Sequence, residues 1–102
     1  MNKPSVQPPA RRCVAFGIGQ VVVSEGARVA LDAAREAHDS YLHRHATGAW
    51  TETPLDEQDE NRAAIKEGRG VFSTHHLRNG ARLWLATLPD RTRTIVFTPD
   101  EV

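Results

Sequence analysis

The sequence predicts a single α+β domain, with an N-terminal strand, two to three helices, and then a three-stranded antiparallel meander that carries the helices on one face. A valine run at 21–23 stands between glycines, as in a strand. Apolar residues then recur at helical spacing over 27–42. An Asn-Gly pair at 79–80 and a Pro-Asp pair at 89–90 separate three later runs of strand-forming residues, which predicts the meander.

The composition is that of a globular protein and excludes several functional classes. Thirteen basic residues balance thirteen acidic ones over 102 residues, so no general attraction to nucleic acid or to a membrane surface is expected. No apolar run could span a bilayer. The lone Cys13 cannot form an internal disulfide, which fits a reducing, cytoplasmic location. Residues 1–12, with three prolines, predict a disordered tail before a domain over 13–102.

The helical region begins after Ser24, a good N-cap residue, and ends at Gly48. Asp39 and Ser40 are also N-cap types, so the segment over 27–46 is either one helix or two with a break near His38. A third helix begins at Thr53 and Pro54 and ends before a glycine at 68. Its apolar content is thin, so we expect it to lie on the surface.

Counting back from the turns predicts the strand register and hence the two sheet faces. A two-residue Asn-Gly loop places His76 opposite Leu83, and the second turn places Thr87 opposite Thr94. We expect the helices to cover the more apolar face, which carries Val71, Ser73, His75, Leu77, Trp84, Ala86, Leu88, Ile95 and Phe97. The other face carries Phe72, Thr74, His76, Leu83, Leu85, Thr87, Thr94, Val96 and Thr98 and is expected to be open.

Five histidines raise the question of a metal site, but their predicted geometry is unfavourable. On a continuous helix His38 and His45 lie two turns, about 10 Å, apart, which is too far for one ion. His75 and His76 point to opposite sides of a strand. The sequence therefore predicts surface or capping histidines and no metal. It also lacks the glycine-rich and nucleophile motifs of common enzymes, so we expect no cofactor.

Two surfaces are candidates for binding a partner. The first is the threonine-rich face with the second turn at its rim, and it comprises Thr74, His76, Thr87, Asp90, Arg91 and Thr94. The second is the acidic start of the third helix, with Asp56, Glu57, Asp59 and Glu60, which could mimic nucleic-acid phosphates. For both there is an ordinary explanation, because threonine favours strands and acids stabilise helix N-termini.

Two motifs carry a resemblance to a known family. They are Arg44-His45-x-x-Gly48-x-Trp50 and Trp84-x-x-Thr87-x-x-Asp90-Arg91-x-x-Thr94-x-x-x-x-Pro99. With the segments around them, over 16–101, they resemble a family of small plasmid-borne and phage-borne bacterial proteins, some labelled plasmid-related or restriction-related. The resemblance implies an accessory function of a mobile element, including inhibition of a host defence of the restriction or CRISPR type by binding a partner protein.

Two functional hypotheses follow. The first is a non-enzymatic protein that binds a host protein through the threonine face or the acidic helix. The alternative is a small metal-independent ribonuclease toxin, since helices followed by a meander also resemble the barnase and RelE-like group. In that case His76 would be the general base, Arg91 would stabilise charge, and Thr87 and Thr94 would position an RNA phosphate. A homodimer through the unpaired edge of the meander is also open.

Overall fold

A computed structural model describes residues 16–102 and shows an α+β domain with three helices and a mixed four-stranded sheet. The predicted tail over 1–12, the predicted start of the domain at 13 and Cys13 itself lie outside the described residues. The elements are β1 (Gln20–Val23), α1 (Glu25–Ala34), α2 (Asp39–Thr47), α3 (Leu55–Glu67), β2 (Val71–His76), β3 (Arg82–Thr87), β4 (Arg93–Phe97) and a closing 3₁₀ turn (Pro99–Glu101).

The sheet has the order β1-β4-β3-β2. Its last three strands pair antiparallel in sequence order, as in the predicted meander, whereas β1 adds to β4 in parallel and makes the sheet mixed. The sequence had left the position of the valine strand open. β1 is an edge strand, so its valines are not fully buried. Val22 is 39% exposed.

The helix boundaries follow the capping residues. Ser24 caps α1 by accepting a hydrogen bond from the Ala27 amide at 3.0 Å. Arg35 adopts a left-handed conformation after α1, so the segment forms two helices rather than one. Gly48 ends α2 as predicted. The third helix begins one residue later than predicted, because Pro54 and not Thr53 is its N-cap.

The first hairpin differs from the prediction by one residue. Leu77 pairs with Ala81 around a three-residue loop, with the Leu77 amide donating to the Ala81 carbonyl at 2.8 Å. Only Gly80 of this loop has a positive φ, +88°, whereas a two-residue turn would need Asn79 there as well. His76 therefore faces Arg82 instead of Leu83. A shift of one residue moves every β3 side chain to the other face relative to β2.

The second hairpin has the predicted register, with Thr87 opposite Thr94 and Trp84 opposite Phe97. Arg91 takes the left-handed conformation that this turn requires, at φ 61°. Because β3 and β4 keep their mutual register, the error of the first hairpin changes the face of both strands together. It leaves β2 as predicted.

The faces of β3 and β4 are therefore the reverse of the expectation. The helices cover Leu83, Leu85 and Val96, all fully buried, together with the predicted core side of β2. Thr87 and Thr94, expected on the face away from the helices, are buried beside them. The residues expected in the core, Trp84, Ala86, Leu88, Ile95 and Phe97, are only partly buried. The proposed threonine surface does not exist in this register.

The end of the described chain is fastened to the start of α1. One oxygen of the Glu101 carboxylate accepts from the Ser24 hydroxyl at 2.6 Å and from the Thr98 amide at 2.8 Å. The other accepts from the Gly26 amide at 2.9 Å. These bonds lower the pKa of Glu101 to about 2. We call this contact the Glu101 clasp.

Candidate functional site

The sheet face opposite the helices is a continuous apolar surface, which we call the open face. One row crosses all four strands through Val22, Ile95, Ala86 and Phe72. A second row, Phe97, Trp84 and Thr74, lies beside it. The side chains of these rows are partly exposed, and Val22 is the most open of them at 39%. The polar side chains on this side of the sheet are Gln20, Thr74, His76, Arg82 and Arg93.

Three aromatic rings form the centre of the open face. Trp84 meets Phe72 edge-to-face at 5.2 Å between ring centroids, and it meets Phe97 in the same way at 5.9 Å. Such edge-to-face contacts are favourable and stabilise this arrangement of the three rings. Trp and Arg are the side chains that contribute most often to protein interfaces, and Arg82 is next but one to Trp84 on the same strand.

A groove of about 380 Å³ lies at the β2 end of the open face. Phe72, Trp84 and Thr74 line its sheet side, Glu52 comes from the segment before α3, and Glu57 comes from the first turn of α3. His76 and Arg82 also line it. The Glu52 carboxylate is held in place because it accepts from the His76 amide at 2.8 Å. We call this feature the β2 groove.

A chain of buried polar side chains runs through the core below the sheet. His45, on α2, is fully buried, and both of its ring nitrogens are hydrogen-bonded. Nδ1 lies 2.6 Å from the Ser73 hydroxyl, and Nε2 lies 2.8 Å from the Thr87 hydroxyl. Ser73 also bonds Nε2 of His75 at 2.9 Å, and Thr87 bonds Thr94 at 2.6 Å. We call this chain the core network.

The direction of each bond in the core network follows from its last member. Thr94 donates its one hydroxyl proton to the Ile18 carbonyl at 2.8 Å, so it must accept from Thr87. Thr87 must then accept from Nε2–H of His45. A neutral imidazole has one N–H, so Nδ1 of His45 accepts from Ser73. Ser73 in turn accepts from Nε2–H of His75. In their neutral form, both histidines therefore carry the proton on Nε2.

Burial explains why these histidines are neutral. Burial, and then the nearby His75, lowers the pKa of His45 to about 3. Burial, and then the charge of Arg44, lowers the pKa of His75 to about 4. The prediction of surface or capping histidines was wrong for these two. A signal was present in the sequence, because His45 follows Tyr41 and Leu42 on the apolar side of α2.

The core network also accounts for the first motif of the sequence. The indole N–H of Trp50, itself buried, donates to the His45 carbonyl at 2.9 Å. Gly48 ends α2 at φ +84° and lets the chain turn back towards that carbonyl. The spacing Arg44-His45-x-x-Gly48-x-Trp50 thus describes one structural unit that anchors α2 to the sheet.

The structure separates the predicted site residues. Thr74 and His76 lie on the open face, whereas Thr87 and Thr94 belong to the core network on the other side of the sheet. The four groups of the suggested ribonuclease site are therefore not assembled. Its arginine, Arg91, donates to the carbonyls of Arg69, Leu88 and Pro89 and stabilises its own turn.

The remaining predicted residues have local roles. Asp90 accepts from both the amide and the hydroxyl of Thr92, which lowers its pKa. In α3, Asp56 accepts from the Glu57 amide. Asp59 pairs with an arginine one turn later, and Glu60 pairs with Arg69. Of this acidic run, Glu57 is the residue that reaches the β2 groove.

Among residues 16–102, side chains and not a fifth strand occupy the outer edge of β2. The Asn61 amide donates to the Phe72 carbonyl at 2.6 Å and accepts from the Phe72 amide at 3.1 Å. The Thr53 hydroxyl accepts from the Thr74 amide at 3.1 Å, and Glu52 accepts from the next outward amide, that of His76. A partner strand at this edge would have to displace these bonds.

Neither a metal site nor a membrane span emerges from the described chain. Over residues 16–102, no three His, Cys, Asp or Glu side chains lie close enough together to bind an ion. No helix in that range has the length and apolarity needed to cross a bilayer.

No family model matches the chain, and no curated protein and no solved structure matches it.

Proposed function

We propose that the protein is a protein-binding module whose open face docks on a host protein. The observation that carries the proposal is the pair of largely apolar rows, one crossing all four strands and the other crossing three, with Trp84 near their centre. An apolar patch with aromatic anchors and an arginine rim has the composition of the energetic centre of an interface. Thr74 and His76 keep their predicted place on this surface.

The biological role that we propose is that of a mobile-element accessory protein that inhibits a host defence of the restriction or CRISPR type. The support for this role is the resemblance carried by the two sequence motifs. A protein that acts by occupying a surface needs a rigid, exposed patch and no catalytic group. Both the open face and the dispersal of the suggested ribonuclease residues agree with such a mode of action.

A matched pair of variants tests the proposal. Val22→Lys introduces a charge on the open face, where the side chain is 39% exposed, and Val29→Lys introduces the same charge on α1, where it is 55% exposed. We expect the wild type and Val29→Lys to raise the transformation efficiency of a restricting bacterial host and to capture the same protein by cross-linking. Val22→Lys should lose both.

Trp84→Ala provides a second variant within the same patch and should also abolish capture. Circular dichroism and the unfolding midpoint of each variant confirm that the fold is retained. Equal activity of Val22→Lys and wild type, with a folded Trp84→Ala variant that still captures the protein, would remove the open face as the binding surface.

A further inference from the structure

We infer that the β2 groove is a receptor for an arginine side chain of the docking partner, an inference that rests on the proposed function and specifies the chemistry of its partner. The groove has two aromatic walls, Phe72 and Trp84, and two carboxylates at its rim, Glu52 and Glu57. Its volume of about 380 Å³ exceeds what one side chain needs, so an arginine can enter with part of its backbone.

The aromatic walls favour a flat cation. A guanidinium stacks on an indole face and remains charged when partly desolvated, which an ammonium does less well. Trp84 is held edge-to-face by Phe72 and Phe97, so its ring has a defined orientation next to the groove. The partner's arginine would therefore meet a prearranged surface.

The carboxylates of Glu52 and Glu57 differ in the bonds that they already make within the protein. Glu52 already accepts from the His76 amide and lies 3.4 Å from the imidazole Nδ1 of the same residue. Glu57 is exposed, and its carboxylate makes no ion pair with another residue of the 16–102 segment. It can thus form the two parallel hydrogen bonds that a guanidinium offers, while Glu52 adds negative potential.

The net charge of the described chain also favours a basic ligand. All thirteen acidic residues of the protein lie within 16–102, but three of the thirteen basic ones, Lys3, Arg11 and Arg12, do not. The described domain is therefore acidic, and Arg82 is the one Lys or Arg among the residues that line the groove. A basic side chain is attracted to such a site, and a phosphate is not.

Nuclear magnetic resonance titration tests the inference with two small probes. N-acetyl-arginine amide carries the guanidinium, and N-acetyl-citrulline amide is its neutral isostere. We expect the arginine probe to shift the indole N–H signal of Trp84 and the amides of Thr74 and Arg82. The indole of Trp50, which is buried and bonded to the His45 carbonyl, should not move. The citrulline probe should shift none of them.

Variants on α3 complete the experiment. Glu57→Gln should weaken binding of the arginine probe about threefold, as expected for one exposed ion pair. Glu67→Gln makes the same change near the other end of the helix and should leave binding unchanged. Equal shifts from both probes, or an unaffected Glu57→Gln, would overturn the inference. Stronger shifts at Trp84 and Arg82 from a short oligouridylate would overturn it in favour of RNA.

The result also separates this inference from the proposed function. If Val22→Lys abolishes capture but the arginine probe does not bind, the open face stands and the groove proposal falls. If the probe binds but the open-face variants still capture the host protein, the groove accepts an arginine side chain and the open face is not the binding surface.

Discussion

Individual hydroxyl and imidazole groups decide how α2 is fixed to the sheet. The core network connects α2, β2, β3, β4 and the Ile18 carbonyl through single protons with one consistent direction. A buried polar chain of this kind costs free energy unless every member is bonded, and here each of the five side chains is. The network therefore selects one packing of α2 on an otherwise largely apolar core.

The same two histidines predict a pH dependence of stability. Their pKa values in the folded protein, about 3 and about 4, lie below the ordinary value of 6.5, so the unfolded chain binds more protons below that pH. The contribution of these histidines to the free energy of unfolding is fully present above about pH 7 and is lost as the pH falls through 6.5. At pH 5 the loss is about 2 kcal/mol per histidine. Urea unfolding between pH 7.5 and pH 5 measures this loss.

Controls separate the histidines from the carboxylates. Most carboxylates remain ionised above pH 5, so the loss in this window belongs to His45 and His75. His43→Gln, which removes an exposed histidine of the same helix, should leave the slope unchanged. A free energy of unfolding that stays constant from pH 7.5 to pH 5 would contradict the assignment of two neutral buried imidazoles.

At the scale of elements, the sequence predicted the helices, the strands and the meander, but not the register in which β2 pairs with β3. Asn79-Gly80 fits both a two-residue loop, which needs a positive φ at Asn79, and a three-residue loop, which does not. The alternation of β3 could not choose between them, because Leu83 and Leu85 on one side and Trp84 on the other are all apolar. Packing on the helices settled the register, and single-sequence patterns carry no information about that packing.

The candidate site was predictable to the same extent. Thr74 and His76 were placed correctly because β2 was, and Trp84 was correctly paired with Phe97 although assigned to the core. The groove could not be predicted, since it depends on where the segment before α3 lies against β2. The side chains that fix this segment, Thr53 and Asn61, gave no sign of their role in the sequence.

The β2 edge leads to a prediction for Asn61. Asn61→Ala removes both hydrogen bonds to the Phe72 backbone and should lower the free energy of unfolding by about 1–3 kcal/mol. It should also promote self-association, because an uncovered strand edge accepts another strand. Urea unfolding and sedimentation velocity measure the two effects. Arg62→Ala, at the next and exposed position of α3, is the control and should change neither.

At the scale of the whole molecule, the Glu101 clasp joins α1 to the turn after β4. A Cβ at Gly26 would lie 2.6 Å from the Glu101 carboxylate, which is closer than real contacts, so Gly26→Ala expels that carboxylate. We expect Glu101→Ala to lower the melting temperature of the wild type, and to lower it much less in a Gly26→Ala background, where the carboxylate is already displaced. Additive losses in differential scanning calorimetry would show that the two residues act independently.

The parallel pairing of β1 with β4 has a consequence for how the chain is made. Gln20 lies beside Arg93, so the first strand obtains its only sheet neighbour in the described chain after nearly all of that chain has been synthesised. Closing the long loop between β1 and β4 is slow. Until it closes, the valines of β1 have no neighbouring strand. During synthesis on the ribosome, the apolar β1 segment therefore stays exposed until β4 has been made and pairs with it.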